Sequence, residues 1–337
     1  MNSARHGNAL TATITGILDQ RKVKPTVGAL PPNVRLDGDT VLITGANSGL
    51  GFGIAKDVAR RGASRIILAC RSGIPEAGEA ISREAGNANV EMRRVDLADL
   101  RSVHALADSL RDDGVTIDRA IFNAGVMPAR DAATKQGFEL MFGVNFLANA
   151  CLTLRLLEDG VIPNRSLARE PRDAARPPRI VYVASDAHRS GHPLDFDRFG
   201  EYRHYGIKDG MKQYGHSKLA LVTFAQALAS KLVVDGKPEV EVFSMCPGAV
   251  NSNISRDAPA FLKPLLSWVM GRFFASPEKA AEPVLYLARA DEMNGRTGVY
   301  VHIRTEKAPA DQALDPACQA QLWEATRALL DRVRSEV

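Results

Sequence analysis

The sequence predicts a single α/β domain: a doubly wound parallel sheet of about seven strands with helices on both faces. Three observations carry this. From Thr40 onward, short β-branched apolar runs alternate with stretches of helical periodicity. The runs are apolar almost throughout, as in strands buried on both faces. A glycine-rich turn follows the first run and opens the first helix.

Residues 1–38 read as an N-terminal extension, with a short helix over Ala9–Val23 and a proline-stiffened link over Lys24–Asn33. Residues 39–303 form the domain. Its strands are expected at Val41–Thr44, Arg65–Ala69, Val90–Val95, Arg119–Phe122, Arg179–Ala184, Val240–Met245 and Val299–Ile303. Helices are expected between them, among others at Leu50–Arg61, Leu100–Asp112, Gly137–Leu157 and Gln213–Leu232. Residues 304–337 form a tail, in which Asp315–Val337 reads as one amphipathic helix with Leu322, Trp323, Leu329 and Leu330 on its apolar side. The sequence leaves open whether this face packs on the core or makes a homodimer contact.

Composition narrows the class. A net charge of +4 over 337 residues, with no basic run interleaved with aromatics, argues against nucleic-acid binding. No apolar run reaches the roughly 18–20 residues of a spanning helix. Cys70, Cys151, Cys246 and Cys318 form no CxxC pair and read as reduced, buried residues of a cytoplasmic protein without a metal.

The turn is Thr44-Gly45-Ala46-Asn47-Ser48-Gly49-Leu50-Gly51. Its glycines permit a sharp bend and close approach to a pyrophosphate, which the free N–H groups of the following helix would receive. Flanked by strand and helix, it marks a Rossmann-type dinucleotide site held by Gly45, Asn47, Ser48, Gly49, Leu50 and Gly51. The second strand leads into Arg71, with no Asp or Glu at its end. A guanidinium there suits a ribose 2′-phosphate, so NADP(H) is expected rather than NAD. Asp96-Leu97 closes the third strand, where a carboxylate can accept from the adenine amino group.

Tyr214 and Lys218 stand at i and i+4 on one helix face. A tyrosine hydroxyl titrates at about 10. A nearby ammonium favours the phenolate and is expected to bring Tyr214 toward the working range. Ser185 ends the strand Ile180–Ala184, where its hydroxyl can hold a substrate oxygen, and Asn145 places a polar amide in an apolar helix.

With TGANSGLG (Thr44–Gly51), DL (Asp96-Leu97), FNAG (Phe122–Gly125), Asn145, Ser185, YGHSK (Tyr214–Lys218) and CPGAV (Cys246–Val250), the chain resembles the short-chain dehydrogenase/reductase family over Asp39–Ile303. The resemblance implies a catalytic tetrad of Asn145, Ser185, Tyr214 and Lys218, with Asn145 anchoring a water that relays protons through Lys218. It implies that Asn123, Ala124 and Gly125 support the sheet and the cofactor ribose. Pro247, Gly248 and Val250 would line the nicotinamide side, and Ser252 stands where a threonine often binds the cofactor.

Ser185 and Tyr214 lie 29 residues apart, against about a dozen in many members. The extra segment, Ala187–Met211, is expected to cap one side of the active site. Together with ACRS, YGHSKLA and SPEKAAEPVLYLA, it is similar to the retinol dehydrogenase-like branch, which includes WW-domain oxidoreductases and is akin to light-dependent protochlorophyllide reductases. That branch implies NADP(H) and often a bulky apolar carbonyl or alcohol of retinoid, steroid or lipid type. Residues 251–275 take the place of the substrate loop, and the amphipathic stretch Ala258–Phe274 reads first as a lid, with a segment resting on a membrane surface or packing into the domain as the alternatives. His188, His192, His204 and His216 fit no metal motif and read as polar loop residues. The expected activity is hydride transfer between NADP(H) and a carbonyl/alcohol pair. Reduction of an activated C=C bond and a non-catalytic NADP-binding regulator are the rival readings.

Overall fold

The computed structural model describes residues 25–206, 209–248 and 276–335. Besides a small two-stranded pair, Val233–Val234 with Lys237–Pro238, their strands are β1 (Thr40–Thr44), β2 (Arg65–Cys70), β3 (Val90–Arg94), β4 (Arg119–Phe122), β5 (Arg179–Val183), β6 (Glu241–Cys246), β7 (Val299–His302) and β8 (Thr305–Glu306). They form one sheet in the order β8-β7-β6-β5-β4-β1-β2-β3, parallel throughout except for the β7–β8 pair. The eighth strand, beyond the seven expected, is a two-residue return. It arises because Ile303, expected within the seventh strand, turns to φ +58°, a conformation rare for a β-branched residue.

The seven long strands include five (β1, β2, β4, β5 and β6) that are buried along nearly their whole length. Successive side chains alternate faces. Leu42, Ile67, Ala120, Phe122 and Ile180 enter one apolar core, while Val41, Ile43, Ile66, Ile121 and Val181 enter the other. Helices α1 (Gly49–Arg60), α2 (Glu76–Ala85), α3 (Leu100–Asp112), α4 (Ala148–Glu158), α5 (Gly210–Lys231), α6 (Pro277–Arg289), α7 (Asp311–Leu314) and α8 (Pro316–Ser335) surround the sheet. Strand order reverses between β2 and β4, on either side of β1. In open sheets of this kind ligands bind in the crevice at the carboxyl ends of the strands beside such a reversal.

The structure corrects or completes the sequence reading at four points. The sequence hid α2 behind two glycines; Gly78 is required there because a Cβ would lie 2.8 Å from Met92 Cγ of β3. The helix expected over Gly137–Leu157 contains a π-helical turn, Phe142–Leu147, just before α4. Residues 25–38 are more than a proline-stiffened link, since Val27, Leu30 and Leu36 are buried in the second core. Thr26 and Val27 N–H groups both donate to Arg304 O. The tail helix packs on the core, where Trp323 stacks on Phe224 of α5 with ring centroids 5.8 Å apart. The helix expected over Ala9–Val23 lies outside the described residues.

Candidate active site

Gly45 and Gly49 adopt φ +67° and +55°, which suits residues without a Cβ. A Cβ on Gly51 would stand 2.2 Å from Gly45 O and 2.5 Å from Asn123 Nδ2, so the helix can approach the turn only as glycine. Two residues clamp the turn to β4. Asn123 Nδ2 donates to Thr44 O and Gly45 O at 3.0 and 3.1 Å, and the N–H groups of Asn123 and Ala124 donate to Thr44 Oγ1 at 3.0 and 3.1 Å. Asn123 thus supports the turn itself. Thr44 is a site residue that sequence reasoning passed over, because its partners lie about eighty positions away.

Ser48 precedes α1 without capping it, and the first turn of α1 carries no acid. The helix therefore presents Gly49, Leu50 and Gly51 N–H groups to an outside acceptor, and this uncapped cradle fits a dinucleotide pyrophosphate. Asn47 Nδ2 reaches Ser72 Oγ at 3.4 Å, joining the turn to the loop where Arg71 stands exposed just past β2. Asp96 Oδ1 accepts the Ala98 N–H at 3.0 Å, and Leu97 is buried beneath.

The four tetrad candidates converge at the carboxyl ends of β4 and β5. The π-turn carries Asn145, whose Oδ1 accepts the Val126 N–H at 2.7 Å while Nδ2 donates to Val126 O and Ser217 Oγ at 3.0 and 3.1 Å. Ser217 in turn donates to Tyr214 O at 2.7 Å. The Asn145 amide is thereby engaged on the protein. Its backbone carbonyl accepts Asn149 Nδ2 at 3.0 Å. A Cβ on Gly125 would lie 3.2 Å from Asn145 Oδ1 and 3.5 Å from Lys218 Nζ, which shows how closely these groups gather. Lys218 is buried, donates to Val183 O at 2.9 Å, and sits 5.7 Å from the centre of the Tyr214 ring. The Ser185 hydroxyl accepts the Ala187 N–H at 3.3 Å and lies close enough to Tyr214 to favour its phenolate.

Backbone contact brings Tyr214 beside Ser185 despite the long insertion. A Cβ on Gly191 would meet Gly215 C at 2.2 Å, and one on Gly215 would meet Ala187 O at 2.5 Å. His188 and His216 are buried at 1% and 7% exposure and are structural, contrary to the expectation of loop residues. His216 Nδ1 bonds His192 O at 3.0 Å across that contact. Further along the insertion, Tyr202, Arg203, Tyr205 and His192 line an open cavity of about 460 Å³. Pro247 and Gly248 follow β6, with Gly248 at φ +76° against Ile303. Val250, Ser252 and the expected lid, 251–275, lie outside the described residues.

The signature of the short chain dehydrogenase family matches residues 39–191. The chain is 36% identical to human retinol dehydrogenase 13 over 92% of its own length and 90% of the relative's. It is also 36% identical to the bovine dehydrogenase/reductase SDR family member 13, over 87% and 74% of the two chains. This chain belongs to the short-chain dehydrogenase/reductase family, in its retinol dehydrogenase-like branch. Among solved structures, an uncharacterised protein from Mycobacterium paratuberculosis superposes with a TM-score of 0.67, at 28% identity over 90% and 97% of the chains. A Pseudomonas aeruginosa RhlG/NADP complex shares the fold, with a TM-score of 0.59 at 23% identity over 81% and 98%.

In this short-chain dehydrogenase/reductase, burial governs the electrostatics of the pair. Tyr214 is pushed up to about 12, chiefly by burial and then by the Cys246 sulfur, with the nearby Ser185 hydroxyl opposing. Lys218 is pulled down to about 8 by burial. The expectation that Lys218 lowers Tyr214 is thus overturned in the protein alone, because both groups lose water together. At neutral pH the phenol keeps its proton and the ammonium keeps most of its charge. That is the pairing a proton donor requires.

Proposed function

We propose that this oxidoreductase interconverts a carbonyl and an alcohol with NADP(H), and that Tyr214 supplies or takes the proton. The observation that carries the reading is the convergence of Ser185, Tyr214, Lys218 and Asn145 beside the uncapped start of α1. When bound, the nicotinamide cofactor supplies the reducing electrons as a hydride. Gly45, Asn47, Ser48, Gly49, Leu50 and Gly51 hold its pyrophosphate, with Asn123, Ala124 and Gly125 behind them and Arg71 at the 2′-phosphate. The Ser185 hydroxyl fixes the substrate oxygen next to the Tyr214 phenol. As negative charge develops on that oxygen, the phenol gives up its proton, and the Lys218 ammonium steadies the phenolate left behind.

A bulky apolar substrate, of the retinoid or other lipid-like class, is part of this proposal. It is supported by relatives named retinol dehydrogenases. A cytoplasmic place of action belongs to it as well; among the described residues no helix is long and apolar enough to cross a membrane. The test is a panel of retinoid, steroid and aliphatic aldehydes and ketones offered with NADPH to the purified protein. Turnover that disappears in Tyr214→Phe supports the reading, whereas turnover that persists removes Tyr214 from it. Arg71→Asp should shift preference toward NADH, and an unchanged NADPH/NADH ratio would refute the role of Arg71.

A further inference from the structure

The turn that carries Ser185 is held from outside by a histidine the proposed chemistry does not use. His188 lies in the short 3₁₀ turn Asp186–Arg189 and is 1% exposed. Its Nδ1 lies 2.8 Å from Ser185 O, and its Nε2 accepts the Ala310 N–H at 3.1 Å. A carbonyl can only accept and an amide N–H can only donate. The ring must therefore be neutral, with its proton on Nδ1. Ser185 O also accepts the His188 N–H at 3.1 Å, so this residue contacts the serine carbonyl twice.

Ala310 belongs to the chain beyond the sheet, and two other bonds fasten that segment to the same region. The Arg189 guanidinium donates to Ala308 O, and the Leu194 N–H donates to Gln312 Oε1 at 3.1 Å. From β7, Tyr300 presents its ring edge to His188 with centroids 4.8 Å apart, and its hydroxyl donates to Asp186 Oδ1 at 3.2 Å. The helix that follows, α8, packs Trp323 on the helix bearing Tyr214 and Lys218.

We propose that His188 is a positioning residue: its neutral Nδ1–H tautomer couples the segment after the sheet to Ser185, and so sets the serine hydroxyl against Tyr214. This rests on the oxidoreductase reading above. The groups facing the imidazole are Asp186 and Arg189 on its own turn and Tyr300 and His302 on β7. Burial holds His188 below the ordinary histidine range, with Arg189 and His302 acting in the same direction. Protonation would set an Nε2–H against the Ala310 N–H, two donors facing each other.

The test compares wild type with His188→Phe, which keeps bulk without hydrogen bonds, and His188→Gln, whose amide offers a donor and an acceptor but does not titrate. In His188→Phe, kcat should fall on the order of 10- to 100-fold, with NADPH affinity unchanged. Wild-type kcat should show an acid limb below the ordinary histidine range, and His188→Gln should recover part of the rate while losing that limb. Unaltered kcat in His188→Phe, or an acid limb that persists in His188→Gln, would overturn the coupling. Should His188→Phe fail to fold, the imidazole ¹⁵N spectrum of the wild-type chain decides. A bare Nε2 at pH 7 supports the proposal, and a protonated Nε2 overturns it. That spectrum needs no substrate, so a wild type that reduces no carbonyl would count against the oxidoreductase reading alone.

Discussion

At the scale of single residues, the site is controlled by what burial does to charge. Lys218 holds its proton below about pH 8 in the folded chain and near its ordinary value, about 10.4, once unfolded. The ammonium is needed to steady the phenolate, so carbonyl reduction should decline as pH rises through about 8. Stability should move the other way. The folded state releases this proton first, so the contribution of Lys218 to stability rises with pH between those two values. A kcat/KM profile measured beside melting temperatures checks both slopes, and parallel slopes would contradict the assignment. Thr44 offers a second check. Its hydroxyl accepts the Asn123 and Ala124 N–H groups just past β4, the first of them shared with Ile121 O. Thr44→Val should cost about 1–3 kcal/mol and weaken cofactor binding, whereas Thr44→Ser should be mild; calorimetry and NADPH titration measure this.

The catalytic candidates were legible because their chemistry is written in their own side chains: a phenol four positions before an amine, a hydroxyl at a strand end. Thr44 and His188 were not. Each acts on backbone groups brought in from distant chain, and a sequence carries no mark of which amide will arrive. The direction of the Tyr214 shift was misread for a related reason. Spacing tells that an ammonium is near, but not how far burial withdraws each group from water.

At the scale of elements, the strands were plain, since runs such as Ile180-Val181-Tyr182-Val183 leave little choice between periods. Helix α2 was obscured by Gly78 and Gly86, which weaken a helical pattern even when packing against β3 requires one of them. The π-turn was equally invisible, because it differs from an α-helix by a single residue per turn around Asn145. The insertion was recognised by length, but its attachment by the Gly191–Gly215 contact was not. Gly191→Ala should therefore reduce kcat more than stability. The added methyl would press on the α5 backbone just after Tyr214, while the sheet is untouched. A kinetic assay run beside thermal unfolding distinguishes this from general loosening.

At the scale of the whole molecule, the two ends of the sheet have different tasks. The carboxyl ends of the strands carry the site. At the opposite ends, Arg179 and Glu241 form a 2.6 Å ion pair, both 2% exposed, in which Arg179 also binds Leu287 O, Ala290 O and Asn294 Oδ1. Glu241 also accepts the Gly295 N–H. Arg179→Met would leave a buried carboxylate without its partner and should cost about 3–5 kcal/mol. Denaturant titration should record that loss with the cofactor Kd nearly unchanged. The overall topology followed from the alternation of elements; the covering of α5 by α8 did not, because an apolar helix face does not specify its partner.

The short return strand β8 and residues 25–38 together have a consequence for the behaviour of the chain in a crowded solution. An exposed edge strand offers a row of unpaired amides and carbonyls to any other extended chain, which is the usual start of sheet-to-sheet aggregation. Here the edge is two residues long, and the incoming N-terminal segment crosses it. The Thr26 hydroxyl receives the Glu306 N–H at 2.8 Å, and the Thr26 and Val27 amides occupy Arg304 O. The segment that first read as an appendage therefore works as a selvedge, closing the border along which this sheet could otherwise recruit a stranger.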